Sequence, residues 1–206
     1  MIMQWEDFKS EQKLTSHQCE QFKQYYEILV KAQSEFNITA ITDVHDVITL
    51  HFKDSLMLDQ FVDMKNFSMI ADVGSGGGFP GIPLKIKYPH ISLVLIEVNH
   101  KKINFLHEVF SALGLVNCEV SSFDWRTFLR KTEYPIELFC SRASLQPDEL
   151  VHMFKPSCFY NKALLAYWAS QTYNVGKEAS FFYREESYIL DSKKRKIVFF
   201  HKPKNG

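Results

Sequence analysis

The residues best suited to hold a ligand lie in one unbroken stretch, Asp72-Val73-Gly74-Ser75-Gly76-Gly77-Gly78-Phe79-Pro80-Gly81. The stretch begins inside an apolar run, Ser68 to Val73, that reads as a strand. Glycine lacks a Cβ, so a turn built from it can fold tightly and let a ligand lie against the main chain. Asp72, at the strand's end, is placed to hold an ammonium group directly or through water. A second carboxylate, Glu97, closes the next apolar run about 20 residues after Gly78, the spacing at which an acid accepts both ribose hydroxyls of an adenosine. Ser121, Ser122 and Phe123 follow a third apolar run, where the adenine ring would rest. Phe123 can serve there or in the core.

Two ligand classes fit such a turn. Gly76, Gly78 and Gly81 spell a literal G-x-G-x-x-G, the pattern of dinucleotide sites. S-adenosylmethionine, whose amino-acid end carries a carboxylate and an ammonium, uses a similar turn. Pro80 and Pro83 suit the first turn of a helix and favour neither ligand. The acid just before the glycines, and a C-terminal hairpin described below, favour S-adenosylmethionine. The cofactor set read this way is Asp72, Gly74, Ser75, Gly76, Gly78, Phe79, Glu97, Ser122 and Phe123.

The elements that must position these residues fall into two regions. Residues 1–65 read as a helical extension. Ser16 can cap a helix carrying Phe22, Tyr25, Tyr26, Leu29 and Val30 at helical spacing and ending near Asn37. A second helix starts at Asp43, with Asp46 in its first turn and Val44, Val47, Ile48, Phe52 and Leu56 on one face. From 66 to 206 the pattern alternates. Strands are expected at 68–73, 91–98, 117–121, 136–141 and 162–168, with helices near 80–87, 100–113, 124–130 and 147–154 between them. Apolar strands alternating with helices imply a parallel sheet covered on both faces. The rhythm then breaks into an antiparallel hairpin, Phe181 to Leu190 and Arg195 to His201, joined by a turn at 191–194. An α/β fold with a mostly parallel sheet ending in such a hairpin is the class I, Rossmann-like methyltransferase architecture.

Composition narrows the function classes. The chain has 206 residues, of which 46% are apolar and 23% charged, the balance of a globular protein. Its net charge is zero, so contact with nucleic acid must come from a local basic patch rather than a global field. The four cysteines form no C-x-x-C pair and read as small buried hydrophobes rather than a zinc or disulfide framework. No metal site is expected. No basic, then apolar, N-terminal segment or membrane-length apolar run occurs, so a cytoplasmic protein without membrane contact is expected.

Several segments, taken in order, resemble the RsmG (GidB) family. They are Phe36-Asn37-Ile38-Thr39-Ala40-Ile41, His51-Phe52-Lys53-Asp54-Ser55-Leu56, the glycine stretch through Gly81-Ile82-Pro83-Leu84, and Cys140-Ser141-Arg142-Ala143. The resemblance covers roughly residues 20–170. It implies S-adenosylmethionine-dependent methyl transfer to guanine N7 in small-subunit (16S) ribosomal RNA, on a methyltransferase domain with an N-terminal helical extension. The expected partner is that RNA or the 30S particle, and the chain is expected to be a monomer. The family's fifth strand usually begins after Gly-Gly and ends in Lys-Gly. Here those places hold Asn161-Lys162 and Trp168-Ala169.

Guanine N7 already offers a lone pair, so transfer needs placement and desolvation rather than a general base. Arg142 is the catalytic, substrate-side candidate, able to meet guanine O6 or a phosphate with a planar fork, and it is also counted in the cofactor-binding set. The alternative is a structural ion pair. His51 and Asp54, one helical turn apart, face the same cleft or merely bond along a helix. Lys193-Lys194-Arg195-Lys196 is either a solvated turn or, with Lys101, Lys102, Arg126 and Arg130, a contact for RNA phosphates. Other classes fit parts of the pattern: a methyltransferase with another substrate, an NAD-binding oxidoreductase, or a non-catalytic RNA- or cofactor-binding protein.

Overall fold

The computed structural model describes residues 2–201. The chain opens with α1 (Ile2–Glu11) and α2 (Ser16–Glu35). α1 escapes a sequence reading because Trp5 and Phe8 supply too short an apolar periodicity; both are buried. α2 is capped by Thr15, not Ser16. Thr15 Oγ1 accepts the Gln18 N–H at 3.2 Å, and the Gln18 side chain accepts the Thr15 N–H at 2.9 Å. This reciprocal box needs a Gln three residues on, which Thr15 has and Ser16 lacks.

Asp43 caps the next helix as expected, accepting the N–H groups of His45 and Asp46 at 2.8 and 3.2 Å. The helix is not one regular α-helix. It runs as α3 (Val44–Val47), a π-helical turn Ile48–Lys53, and α4 (Asp54–Leu56). Its expected apolar face is correct, with Val47, Ile48, Phe52 and Leu56 all buried. Phe8, Phe22 and Phe52 lock the three N-terminal helices together, with ring centroids 5.0 Å apart for Phe8–Phe22 and 4.9 Å for Phe22–Phe52. Burying each such ring contributes about 1.5–3 kcal/mol.

The sheet comprises β1 (Met69–Val73), β2 (Ser92–Ile96), β3 (Cys118–Ser121), β4 (Leu138–Arg142), β5 (Leu164–Ala169), β6 (Phe182–Leu190) and β7 (Lys193–Phe200), in the order β3-β2-β1-β4-β5-β7-β6. The first five strands are parallel, and β7 lies antiparallel to β5. Side chains alternate between two cores, as on any pleated strand. Leu138 and Cys140 of β4 face the N-terminal helices, α5 (Gly81–Lys87) and α6 (His100–Ala112). Phe139 faces α7 (Trp125–Lys131) and α8 (Pro147–Leu150). No cysteine is paired, and burial pushes the Cys140 thiol well above its ordinary pKa. Among the described residues, no helix is long and apolar enough to cross a membrane.

Two features of this topology matter for the site. β1 pairs with β2 on one side and β4 on the other, so the strand order reverses between β1 and β4. Open α/β sheets bind ligands at the carboxyl ends of strands at such a switch. The hairpin also differs from expectation: its turn is only Asp191-Ser192, with φ of 45° and 64°. Two successive positive φ values give a twist matching the flanking strands, so the strands continue through Lys193.

Candidate functional site

β1 delivers Asp72 and then the glycine turn to the switch point. The turn is tied to the end of β2, with the Gly74 and Ser75 N–H groups donating to Ile96 O at 2.9 and 3.1 Å. Ser75 Oγ donates back to Asp72 O at 2.9 Å. Gly74, Gly76 and Gly78 have φ of 70°, 57° and 90°, values that an L side chain resists. A Cβ on Gly76 would meet only the Gly74 carbonyl, at 3.9 Å, so that side of the turn is open to a ligand.

The two carboxylates sit where expected, and both brace the turn. Asp72 is fully buried; its Oδ2 accepts the Gly81 N–H at 2.9 Å, while Oδ1 is buried without a partner. An orphaned carboxylate oxygen is costly unless a donor arrives, and a ligand ammonium is such a donor. Burial outweighs the Gly81 bond and the Arg142 charge, and raises the Asp72 pKa from 3.8 to about 7. Glu97 is 7% exposed. Its Oε2 accepts the Gly76 N–H and its Oε1 the Asn99 N–H, each at 2.9 Å. Each oxygen keeps a second lone pair for a hydroxyl. The Glu97 N–H donates to Ser121 O at 3.1 Å, which brings Ser122 and Phe123 beside it. Both are exposed, and Lys131 Nζ lies 5.9 Å from the Phe123 ring centre.

Phe79 belongs to the frame rather than to the open face. It is 6% exposed and stacks on His51 with centroids 4.4 Å apart, and on Tyr25 at 5.4 Å. The helix that follows the turn points this ring back into the N-terminal core. Tyr25, read in the sequence only as part of a helix's apolar face, donates its hydroxyl to Gly77 O. Thus the helical extension holds the glycine turn from behind.

Arg142 ends β4 beside the turn, but its fork points inward. One terminal nitrogen donates to Leu50 O and Asp54 Oδ2, both at 3.0 Å, and the other to His51 Nδ1 at 3.1 Å. The guanidinium also lies 5.2 Å from the Phe79 ring centre. Its side chain is 13% exposed, and Nε–H with one terminal hydrogen remains uncommitted. A guanidinium only donates, so His51 accepts through Nδ1 and carries its hydrogen on Nε2, 2.9 Å from Thr39 Oγ1. Burial and the Arg142 charge lower the His51 pKa to about 3, so the ring is neutral near pH 7.

Asp54 is the hub of this arrangement. It is fully buried and also accepts from Arg195 at 3.1 Å and from the Tyr188 hydroxyl at 2.7 Å. Its carbonyl accepts the Trp168 indole N–H at 3.0 Å. His51 and Asp54 therefore do not bond along the helix; both face Arg142. Trp168, where the family usually has Lys, is built into the frame by that bond. Asn161 donates to Pro156 O at 2.9 Å, closing the turn before β5.

The basic residues do not form one patch. The Lys193–Lys196 run is split between surface and interior: Lys193 and Lys194, at the hairpin tip, are exposed, Arg195 turns to Asp54, and Lys196, opposite the end of β5, is 8% exposed and paired with Glu185 at 3.1 Å. Lys101 and Lys102 follow β2, four strands across the sheet from β7, or about 19 Å at the usual strand spacing. Arg126 is paired with Glu149 at 2.6 Å.

A parallel sheet with a reversed C-terminal hairpin, and a glycine turn with an acid on either side at the switch point, define a class I methyltransferase fold. Solved structures agree on the fold. A putative O-methyltransferase from Klebsiella pneumoniae matches with a TM-score of 0.59 at 10% identity, over 87% of this chain and 90% of its own. TrmK from M. capricolum, solved with S-adenosyl-homocysteine, matches with a TM-score of 0.55 at 13% identity, over 73% and 68%.

The chain belongs to the GidB family, rRNA small subunit methyltransferase G, whose model matches residues 18–174. A Geobacillus protein named ribosomal RNA small subunit methyltransferase G is 32% identical over 93% of this chain and 86% of its own length. One of that name from Lachnoclostridium phytofermentans is 39% identical over 69% of this chain. The chain spans 60% of that relative and 55% of one from Aster yellows witches'-broom phytoplasma that is 43% identical.

Proposed function

We propose that this protein transfers a methyl group from S-adenosylmethionine to N7 of a guanine in 16S ribosomal RNA, free or within the 30S particle, as a cytoplasmic monomer. The observation that carries the cofactor is the orphaned Oδ1 of buried Asp72 beside an open glycine turn. Asp72 holds the ammonium, the open side of the glycine turn gives the amino-acid end room to lie against the main chain, and Glu97 accepts the ribose hydroxyls. Ser121 to Phe123 border the adenine. S-adenosylmethionine, when bound, supplies the methyl group on a sulfonium. The chain itself places and desolvates the acceptor, since N7 needs no base. Neutral His51 fits that chemistry, and Arg142 walls the donor pocket with two donor hydrogens left for the acceptor. The family membership and the names of the relatives support ribosomal RNA as the substrate.

The test is transfer of labelled methyl to deproteinised small-subunit RNA and to 30S particles, with the product mapped as N7-methylguanosine. Labelling at another atom rules out the N7 reading. Adenosylhomocysteine binding without transfer to either substrate leaves a cofactor-binding protein, and a thermal melt moved by NAD instead overturns the cofactor assignment.

The Asp72 carboxyl adds a pH signature. Its raised pKa means the folded chain holds a proton that the unfolded chain has already lost above pH 4. That contribution to stability is complete below the unfolded value of 3.8 and is lost as pH rises to about 7. An ammonium ligand needs the ionised form. Adenosylhomocysteine affinity should therefore fall by up to about ten-fold per unit as pH drops below 7. Calorimetry across pH 5.5–8 checks this, and Asp72→Asn should flatten the profile; a flat wild-type profile removes Asp72 from the ammonium site.

A further inference from the structure

β5 ends at Ala169, opposite Lys196 on β7. The hairpin continues past that point, pairing Tyr188 with Arg195 and Leu190 with Lys193. Its tip therefore overhangs the carboxyl edge of the sheet, the edge where the donor pocket lies. Beneath it opens a cleft of about 740 Å³ between the hairpin tip and the loops that follow β4 and β5. Arg142 forms its boundary with the glycine turn.

The cleft's lining is one-signed. It includes Arg142, Lys193, Lys194 and Arg195 and, among the described residues, no carboxylate. Asp54 lies beneath and offsets one charge of the two guanidiniums it binds. Lys193 and Lys194 are exposed and carry no ion pair among the described residues. Half-buried Tyr173 supplies aromatic surface in the same cleft, and the edges of the largely buried Tyr167 and Trp168, 9% and 7% exposed, line its floor. The larger cleft of about 870 Å³ under α7 lacks this character, because Asp124 and Glu133 alternate with its cations. Excess positive charge beside aromatic rings matches a ligand made of phosphates and flat bases, whereas an acidic peptide would leave the rings unused.

We propose that this cleft docks the RNA strand next to the target nucleotide, with backbone phosphates on Lys193 and Lys194 and a base against the aromatic floor. The assignment rests on the RNA-substrate reading above. It also explains the overhang: the two lysines stand beyond the last paired residue of β5, at the height of an incoming strand rather than of the sheet. Arg195, pulled under by Asp54, anchors the tip and leaves the lysines free for phosphate.

The experiment measures binding of a short fluorescent single-stranded RNA to the full chain and to Lys193→Ala/Lys194→Ala between about 50 and 200 mM salt. Each phosphate that a lysine no longer neutralises should lower the slope of log K against log salt by about 0.7, so the double variant should show a slope shallower by about 1.4. Its affinity for adenosylhomocysteine and its melting midpoint should match wild type, because both side chains are exposed. Binding should also quench tryptophan emission, and Trp168→Phe should remove the quench, since Trp168 borders this cleft and Trp5 and Trp125 do not. An unchanged slope in the double variant overturns the cleft while leaving the RNA-substrate reading intact. No RNA binding by the wild type, with adenosylhomocysteine still bound, overturns both. Equal competition by a polyglutamate peptide of matched charge overturns the nucleotide assignment in favour of an acidic partner.

Discussion

Asp54→Ala should lower the unfolding free energy by about 3–5 kcal/mol, the usual cost of removing one member of a buried charged pair. The carboxylate is fully buried and receives Arg142, Arg195 and the Tyr188 hydroxyl, at 3.0, 3.1 and 2.7 Å. Without it, two guanidiniums face each other and a buried tyrosine has no acceptor. The two cations are not equal partners. Arg142 has 13% of its side chain exposed and Arg195 34%, so solvent screens the second pair more. A double-mutant cycle in urea should therefore give a larger coupling for Asp54 with Arg142 than with Arg195. A total loss below about 1 kcal/mol would mean that water enters the site and the hub is not a dry ion pair.

Gly74→Ala should weaken adenosylhomocysteine binding on the order of a hundred-fold, about 2.7 kcal/mol. Two causes add. Gly74 has φ of 70°, where an L side chain costs about 1–2 kcal/mol. Its new Cβ would also lie 2.3 Å from Ser144 Cβ and 2.7 Å from Ser144 Oγ. Ser144 cannot give way without breaking its bonds to Val73 O at 2.7 Å and Ser141 Oγ at 2.8 Å. Moving it drags the β4 end and the glycine turn apart. Gly114→Ala separates the two causes, because Gly114 has φ of 61° and nothing within 4 Å of a Cβ. That variant should lose stability by the backbone cost alone and bind adenosylhomocysteine normally. If Gly74→Ala binds as well as Gly114→Ala by calorimetry, the turn tolerates a side chain and the cradle is misassigned.

Much of the geometry on the proposed cofactor side was legible because its signals are local. A strand end followed by glycines, an acid before them and another about 20 residues later describe a pocket made by adjacent elements. Asp72 and Glu97 duly stand at the carboxyl ends of neighbouring strands. Even so, their bonds to Gly81 and Gly76 show that each also shapes the turn it serves. Phe79 was less readable. An aromatic residue next to a ligand loop looks the same in sequence whether it faces the ligand or the core. The contacts that turn it inward, from Tyr25 and His51, come from the helical extension.

The order of strands and helices from β1 onward, the glycine turn with its two carboxylates, the reversed hairpin and the family are all written locally in the chain. Each follows from periodicity, glycine's conformational freedom or short spacing along the chain. Tertiary structure alone decided what Arg142 does with its fork, why Asp54 is buried, and where the basic run points. Arg142 meets Asp54 from 88 residues away and Arg195 meets it from 141. The buried Asp54 carboxylate then draws Arg195 beneath the hairpin tip, while Lys193 and Lys194, beyond the reach of β5, stay exposed. Partnerships of that range depend on which strands become neighbours, and burial of the whole apolar surface, not any local pattern, selects that arrangement.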